Sequence, residues 1–188
     1  MTNEVSYSFK GFKNLKLDLL NKTQQISEIE QCWVALAYLN RQFAMFVECN
    51  YVVNLFPSDI FDKYVRKAEN KIKIPEGLSS VINELDSIIP DGEESSGWEF
   101  DFVQNSLLSL LSFFNFLVDR KSSLFIDVIL GVLINIDVIW SEESDEVDES
   151  VELSKEVTLL YKSIEMIKKS EDKEFIVDNL AKIHGGYN

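Results

Sequence analysis

Side chains able to do covalent or acid–base chemistry are few in this chain, and their spacing is poor for it. The one histidine, His184, falls in the last turn of the last predicted helix. A cationic side chain suits the negative end of a helix dipole, so a structural role explains it. A single histidine removes histidine-based zinc sites and argues against a Ser-His-Asp triad. Cys32 and Cys49 are too far apart for a CxxC motif and lie in apolar helical pattern. Buried free thiols are the expected outcome. No glycine-rich phosphate loop of either common type is present.

Carboxylates are the remaining candidates. Asp127 and Asp137 lie inside a strongly apolar run. Desolvation there would raise their pKa, which is the one route by which this chain could hold a proton-transfer group. The two are not on one turn of the same face, so spacing does not imply a paired acid–base site. Hydrogen-bonded aspartates at the edge of a core explain them as well. The segment 142–149 lacks the glycine and the ligand spacing of a calcium loop. The expectation is therefore a non-enzymatic protein with no cofactor and no metal.

Charge is more informative than chemistry. The formal net charge is -14 over 188 residues. Between residues 86 and 101 stand six acids, Asp86, Asp91, Glu93, Glu94, Glu99 and Asp101, with no Lys or Arg. Between 137 and 152 stand eight more, Asp137, Glu142, Glu143, Asp145, Glu146, Asp148, Glu149 and Glu152, again without a base. These two segments account for the whole imbalance, because the remaining 18 acids face 18 Lys and Arg. Solvated loops that keep the protein soluble are one explanation. A surface that attracts a basic protein, or less often cations, is the other. Nucleic acid is nearly excluded, since phosphate binding needs a basic stripe. Anionic membrane surfaces are disfavoured for the same reason. Trp98 and Trp140 border the two acidic segments. Aromatics of this kind often anchor interfaces, and they are equally ordinary core residues.

The elements that must carry these residues read as helices. Hydrophobic residues make up 46% of the chain and charged residues 27%, with 7 Gly and 3 Pro. Such scarcity of turn formers favours long helices over many-stranded folds. Residues 13–22 form a short amphipathic helix. In 25–43, Ile29, Cys32, Leu36, Leu39 and Phe43 recur at helical spacing. The aromatic stretch 43–56 either continues that helix or breaks near Cys49-Asn50. Ser58 is a candidate N-cap for a helix whose apolar face is Phe61, Tyr64, Val65, Ala68 and Ile72. Pro75 is placed to open the next, with Leu78, Val81, Ile82, Leu85, Ile88 and Ile89 as its stripe, closed by Pro90-Asp91-Gly92.

Two apolar helices follow, at 98–119 and 123–140. The first has a narrow polar face of Asn105, Ser109, Ser112 and Asp119. The second is apolar nearly all round, as a central helix should be. Its β-branched content would suit a buried strand, but its length far exceeds one. Asp127, Gly131 and Asn135 share a face of it, and Gly131 is suited to the close approach of a neighbouring helix. Leu153, Val157, Leu160, Ile164 and Ile167 define another helix, and Ile176, Leu180 and Ile183 the last, closed by Gly185-Gly186. The fold expected is an all-α, single-domain bundle of about seven to nine helices around a central apolar helix, spanning residues 1–188.

The run 124–140 is near the lower length limit for a membrane span. Its internal Asp127 and Asp137 argue instead for a core helix. Residues 1–12 show no basic region leading into an apolar run, so a cytoplasmic protein is expected.

The middle of the chain resembles the YjaG-like family, small all-helical bacterial proteins of unassigned function. The resemblance rests on Phe43-Ala44-Met45-Phe46, on Leu85-Asp86-Ser87-Ile88-Ile89-Pro90 through the acidic loop to Trp98, and on the helix 103–111. The order of helices and loop is similar across roughly residues 25–170. The family tends to have an acidic residue near Asn105-Ser106, where this chain does not, and this chain is more acidic after Trp140. The family offers no catalytic residues to carry over. Small acidic proteins on such scaffolds look like the immunity proteins of contact-dependent growth inhibition and other polymorphic toxin systems. That likeness implies an inhibitor of a cognate basic toxin domain, frequently a nuclease. The partner-binding residues would be Asp91, Glu93, Glu94, Trp98, Glu99 and Asp101, with Trp140, Glu142, Glu143, Asp145, Glu146, Asp148 and Glu149. The protein itself would be a monomer or homodimer. A non-catalytic scaffold of the same helical family, and a small enzyme using a buried carboxylate such as Asp127, are the alternatives.

Overall fold

Apolar residues at helical spacing must bury their stripes against one another, and among the described residues they do so without a sheet. The computed structural model describes residues 12–54, 56–57, 59–89, 97–143, 149–170 and 172. Among them are eight helices: α1 (Phe12–Thr23), α2 (Glu28–Arg41), α3 (Phe43–Val53), α4 (Ile60–Lys73), α5 (Leu78–Asp86), α6 (Trp98–Asp119), α7 (Ser122–Glu143) and α8 (Glu149–Lys169). The last helix expected, around Ile176 to Ile183, lies outside the described residues.

α6 and α7 form the centre. Each has 22 residues and so is about 33 Å long. Only Arg120 and Lys121 separate them, so they fold back as an antiparallel hairpin. α1, α2 and α8 pack on α7, while α3, α4 and α5 pack on α6. A single core runs through all eight, rich in Phe46, Phe61, Phe102, Phe113, Phe114, Phe116 and Phe125. By length and composition alone α6 could cross a membrane, yet 56% of that window is buried inside the bundle.

α2 departs from the amphipathic pattern expected of it. Nine consecutive residues, Gln31 to Leu39, are buried, because α4, α6, α7 and α8 surround it. Ile29, counted with its apolar stripe, is instead exposed. The helix starts at Glu28 rather than 25 because Ser27 caps it. The Ser27 hydroxyl accepts from the Glu30 backbone N–H, and the Glu30 carboxylate accepts from the Ser27 N–H. That reciprocal box satisfies two otherwise orphaned donors.

Other boundaries moved for local reasons. Cys49-Asn50 does not break α3. The Asn50 side chain instead clasps the following turn, donating to the Phe56 carbonyl at 3.0 Å and accepting from its N–H at 3.2 Å. The stop comes at Asn54, in the left-handed region with φ 51°. α4 has Asp59, not Ser58, at its cap position, without a side-chain cap bond, and Ser58 lies outside the described residues. Its expected face, Phe61, Tyr64, Val65, Ala68 and Ile72, is buried. Pro75 precedes α5 rather than opening it. Gly77, at φ 69°, makes the left-handed turn that starts the helix at Leu78, a conformation glycine adopts without steric cost.

The hairpin itself depends on a close approach. A Cβ built on Gly131 would collide with Ser109 Oγ of α6. Ser109 cannot turn away freely, since its hydroxyl donates to the Asn105 carbonyl at 2.9 Å. One turn on, the buried Asn135 amide donates to Ser106 Oγ at 3.0 Å and to the Phe102 carbonyl at 3.2 Å. Helix propensity alone favours Gly131→Ala by roughly 1 kcal/mol. The collision cancels or reverses that gain. We expect G131A to be neutral or destabilising in the native background and stabilising by roughly 0.5–1 kcal/mol in an S109A background. Urea denaturation of the four members of the cycle measures this, and equal stabilisation in both backgrounds would disprove the close approach.

Candidate functional site

The hairpin decides where the acidic segments can meet. Contacts between α6 and α7 pair residues at matching distances from the link, to within one position: Phe116 with Phe125 at 6.0 Å between ring centroids, Ser109 with Gly131, and Ser106 with Asn135. Extending that register sets Trp98, the first residue of α6, beside Glu143, the last of α7. The chain therefore enters α6 and leaves α7 at the same end of the bundle. One acidic segment adjoins each of these helix ends.

The described residues at this end divide by role. Trp98 is half-buried and packs against the core, so much of its indole is structural. Glu99 is half-buried and Asp101 exposed, both in the first turn of α6. Carboxylates there interact favourably with the positive end of the helix dipole. That local role does not prevent them from also facing a partner. Glu142 and Glu143 lie on the last turn of α7 and Trp140 just before it, while Glu149 opens α8. The side chains of these four, and Asp91, Glu93, Glu94, Asp145, Glu146 and Asp148 altogether, lie outside the described residues.

Asp127 does not have the buried setting its neighbours suggested. Its side chain is 45% exposed and pairs with Lys16 of α1 at 3.1 Å. The stripe containing it opens into a shallow groove of about 120 Å³, lined by Asn105, Leu108, Ser109, Ser112, Asp127, Gly131 and Ile134. The desolvation argument for an Asp127 proton-transfer site thus fails, because this face of α7 meets the narrow polar face of α6 at the surface. The Asp137 side chain lies outside the described residues.

Both cysteines are buried thiols not joined in a disulfide, as their setting implied. Burial pushes the Cys32 thiol up to about 11, against the pull of Arg120. The Arg120 guanidinium lies 3.0 Å from Cys32 Sγ. Cys32 is therefore protonated at neutral pH, whereas the thiolate is the reactive form. Arg120 itself ends α6 in the left-handed region, at φ 54°.

Two charge arrangements were not anticipated. Arg41, in the last turn of α2, pairs with Glu156 of α8, with side-chain exposures of only 6% and 10%. Tyr38 donates its hydroxyl to the Glu156 backbone carbonyl alongside, at 3.2 Å. Arg41 and Glu156 are 115 positions apart in the chain, so no local pattern marks them. Glu84 of α5 takes Lys63 at 2.9 Å and Lys67 at 2.7 Å from α4. The same two ammonium groups lie over the Tyr64 ring. Hydrogen bonds from Lys67 and Lys63 hold the Glu84 carboxyl down to about 2, while burial, with Glu84 nearby, pushes Tyr64 up to about 12. Among the described residues no three His, Cys, Asp or Glu side chains gather as a metal-holding group.

The chain matches no protein-family model, no curated protein and no solved structure.

The two ion-pair sites should behave differently on mutation. Arg41→Met or Glu156→Leu alone leaves a buried charge without its partner and should cost about 3–5 kcal/mol. The double variant should recover most of that loss, because two apolar side chains then meet. Chemical denaturation checks both, and a double variant no more stable than the singles would contradict a simple buried pair. The Glu84 carboxyl is 43% exposed in its lysine pairs, so its contribution is under about 1 kcal/mol. Its depressed pKa means that this contribution is present above about 4.5 and fades as pH falls towards about 2. Glu84→Gln should flatten the stability profile in that window only.

Proposed function

We propose that this protein is a non-catalytic immunity-type inhibitor that binds a cognate basic toxin domain, a nuclease being the expected kind, through the acidic end of the α6–α7 hairpin. One observation supports it above the others. Two base-free segments contain all fourteen excess carboxylates, and the helices they adjoin end at the same side of the bundle. Were the carboxylates of both segments to share that end, their field would steer a cationic partner and speed its association. Such a surface can also occupy the cleft with which a nuclease holds phosphate. The expected setting is the cytoplasm, where the toxin would act.

The alternative is a helical interaction protein unrelated to toxins. Tyr51, 88% exposed, and Val52, 62% exposed, favour it, since neighbouring apolar side chains in water are a common mark of contact surfaces.

Co-expression with the product of the neighbouring gene tests the function. Growth should be rescued by this chain if that product is the toxin. Stopped-flow association of the purified pair tests the mechanism. Neutralising Glu142, Glu143, Asp145, Glu146, Asp148 and Glu149 to their amides should lower the association rate on the order of tenfold or more at low salt. The native rate should fall steeply as salt approaches 0.5 M, where screening acts within a few ångströms. Rescue with salt-independent association would retain the function and refute the electrostatic mechanism.

A further inference from the structure

We draw no further inference here: the strongest candidate, the shallow groove between α6 and α7 lined by Asn105, Ser109, Ser112, Asp127 and Gly131, carries nothing, because it is a stripe of small and polar side chains whose carboxylate already pairs with Lys16 and nothing in the structure shows what would occupy it.

Discussion

The close packing of α7 on α6 at Gly131 is the constraint from which the rest follows. Without a side chain at 131, the two helices approach until Ser109 fills the gap. Asn135 then reaches Ser106 and the Phe102 carbonyl across the seam. Together these contacts hold the helices in one register, and apolar packing from Phe116 and Phe125 closes the linked end. A looser seam would let α7 slide or rotate, and the helix ends that adjoin the acidic segments would lose their common position. Packing in the middle of the hairpin thereby governs how its open end, which the acidic segments adjoin, is arranged.

Around that hairpin the molecule uses polar contacts to orient helices and apolar contacts to bind them. Arg41 and Glu156 join α2 to α8 inside the bundle. A buried pair of this kind adds little net stability but penalises every arrangement that separates the charges. It therefore selects one seating of α8 against α2. Lys16–Asp127 and Tyr161–Asp18 tie α1 to α7 and α8 nearer the surface. Lys63 and Lys67 of α4 pair with Glu84 of α5, and Arg66 pairs with Asp62 within α4, which partly neutralises the basic face of α4.

Local pattern was enough for much of this. The buried face of α4, the two long apolar helices and the role of Gly131 were all readable from spacing, because each depends on residues within a few turns. So was the shared face of Asp127, Gly131 and Asn135 on α7, although not that it meets the polar face of α6. Where the two faces meet was not readable, because exposure at a seam depends on what other helices leave uncovered. That is why Asp127 proved half-exposed and paired with Lys16. Arg41 and Glu156 were missed because their partnership is purely tertiary. The start of α5 was misplaced because Pro75 is a permissive signal, and the turn at Gly77 overrode it. The capping box at Ser27 was visible in the sequence as Ser followed three residues later by Glu30, and it sets the start of α2.

The central claim is that both acidic flanks of one hairpin end face the same cationic protein surface. Hydrogen–deuterium exchange of the free protein and of its complex with the proposed basic partner tests this most directly. The account predicts slowed exchange at both flanks, residues 98–101 and 140–149, with little change at the opposite end around Arg120 to Ser122. Protection confined to that opposite end, or to the exposed part of α3 at Tyr51 and Val52, would contradict it.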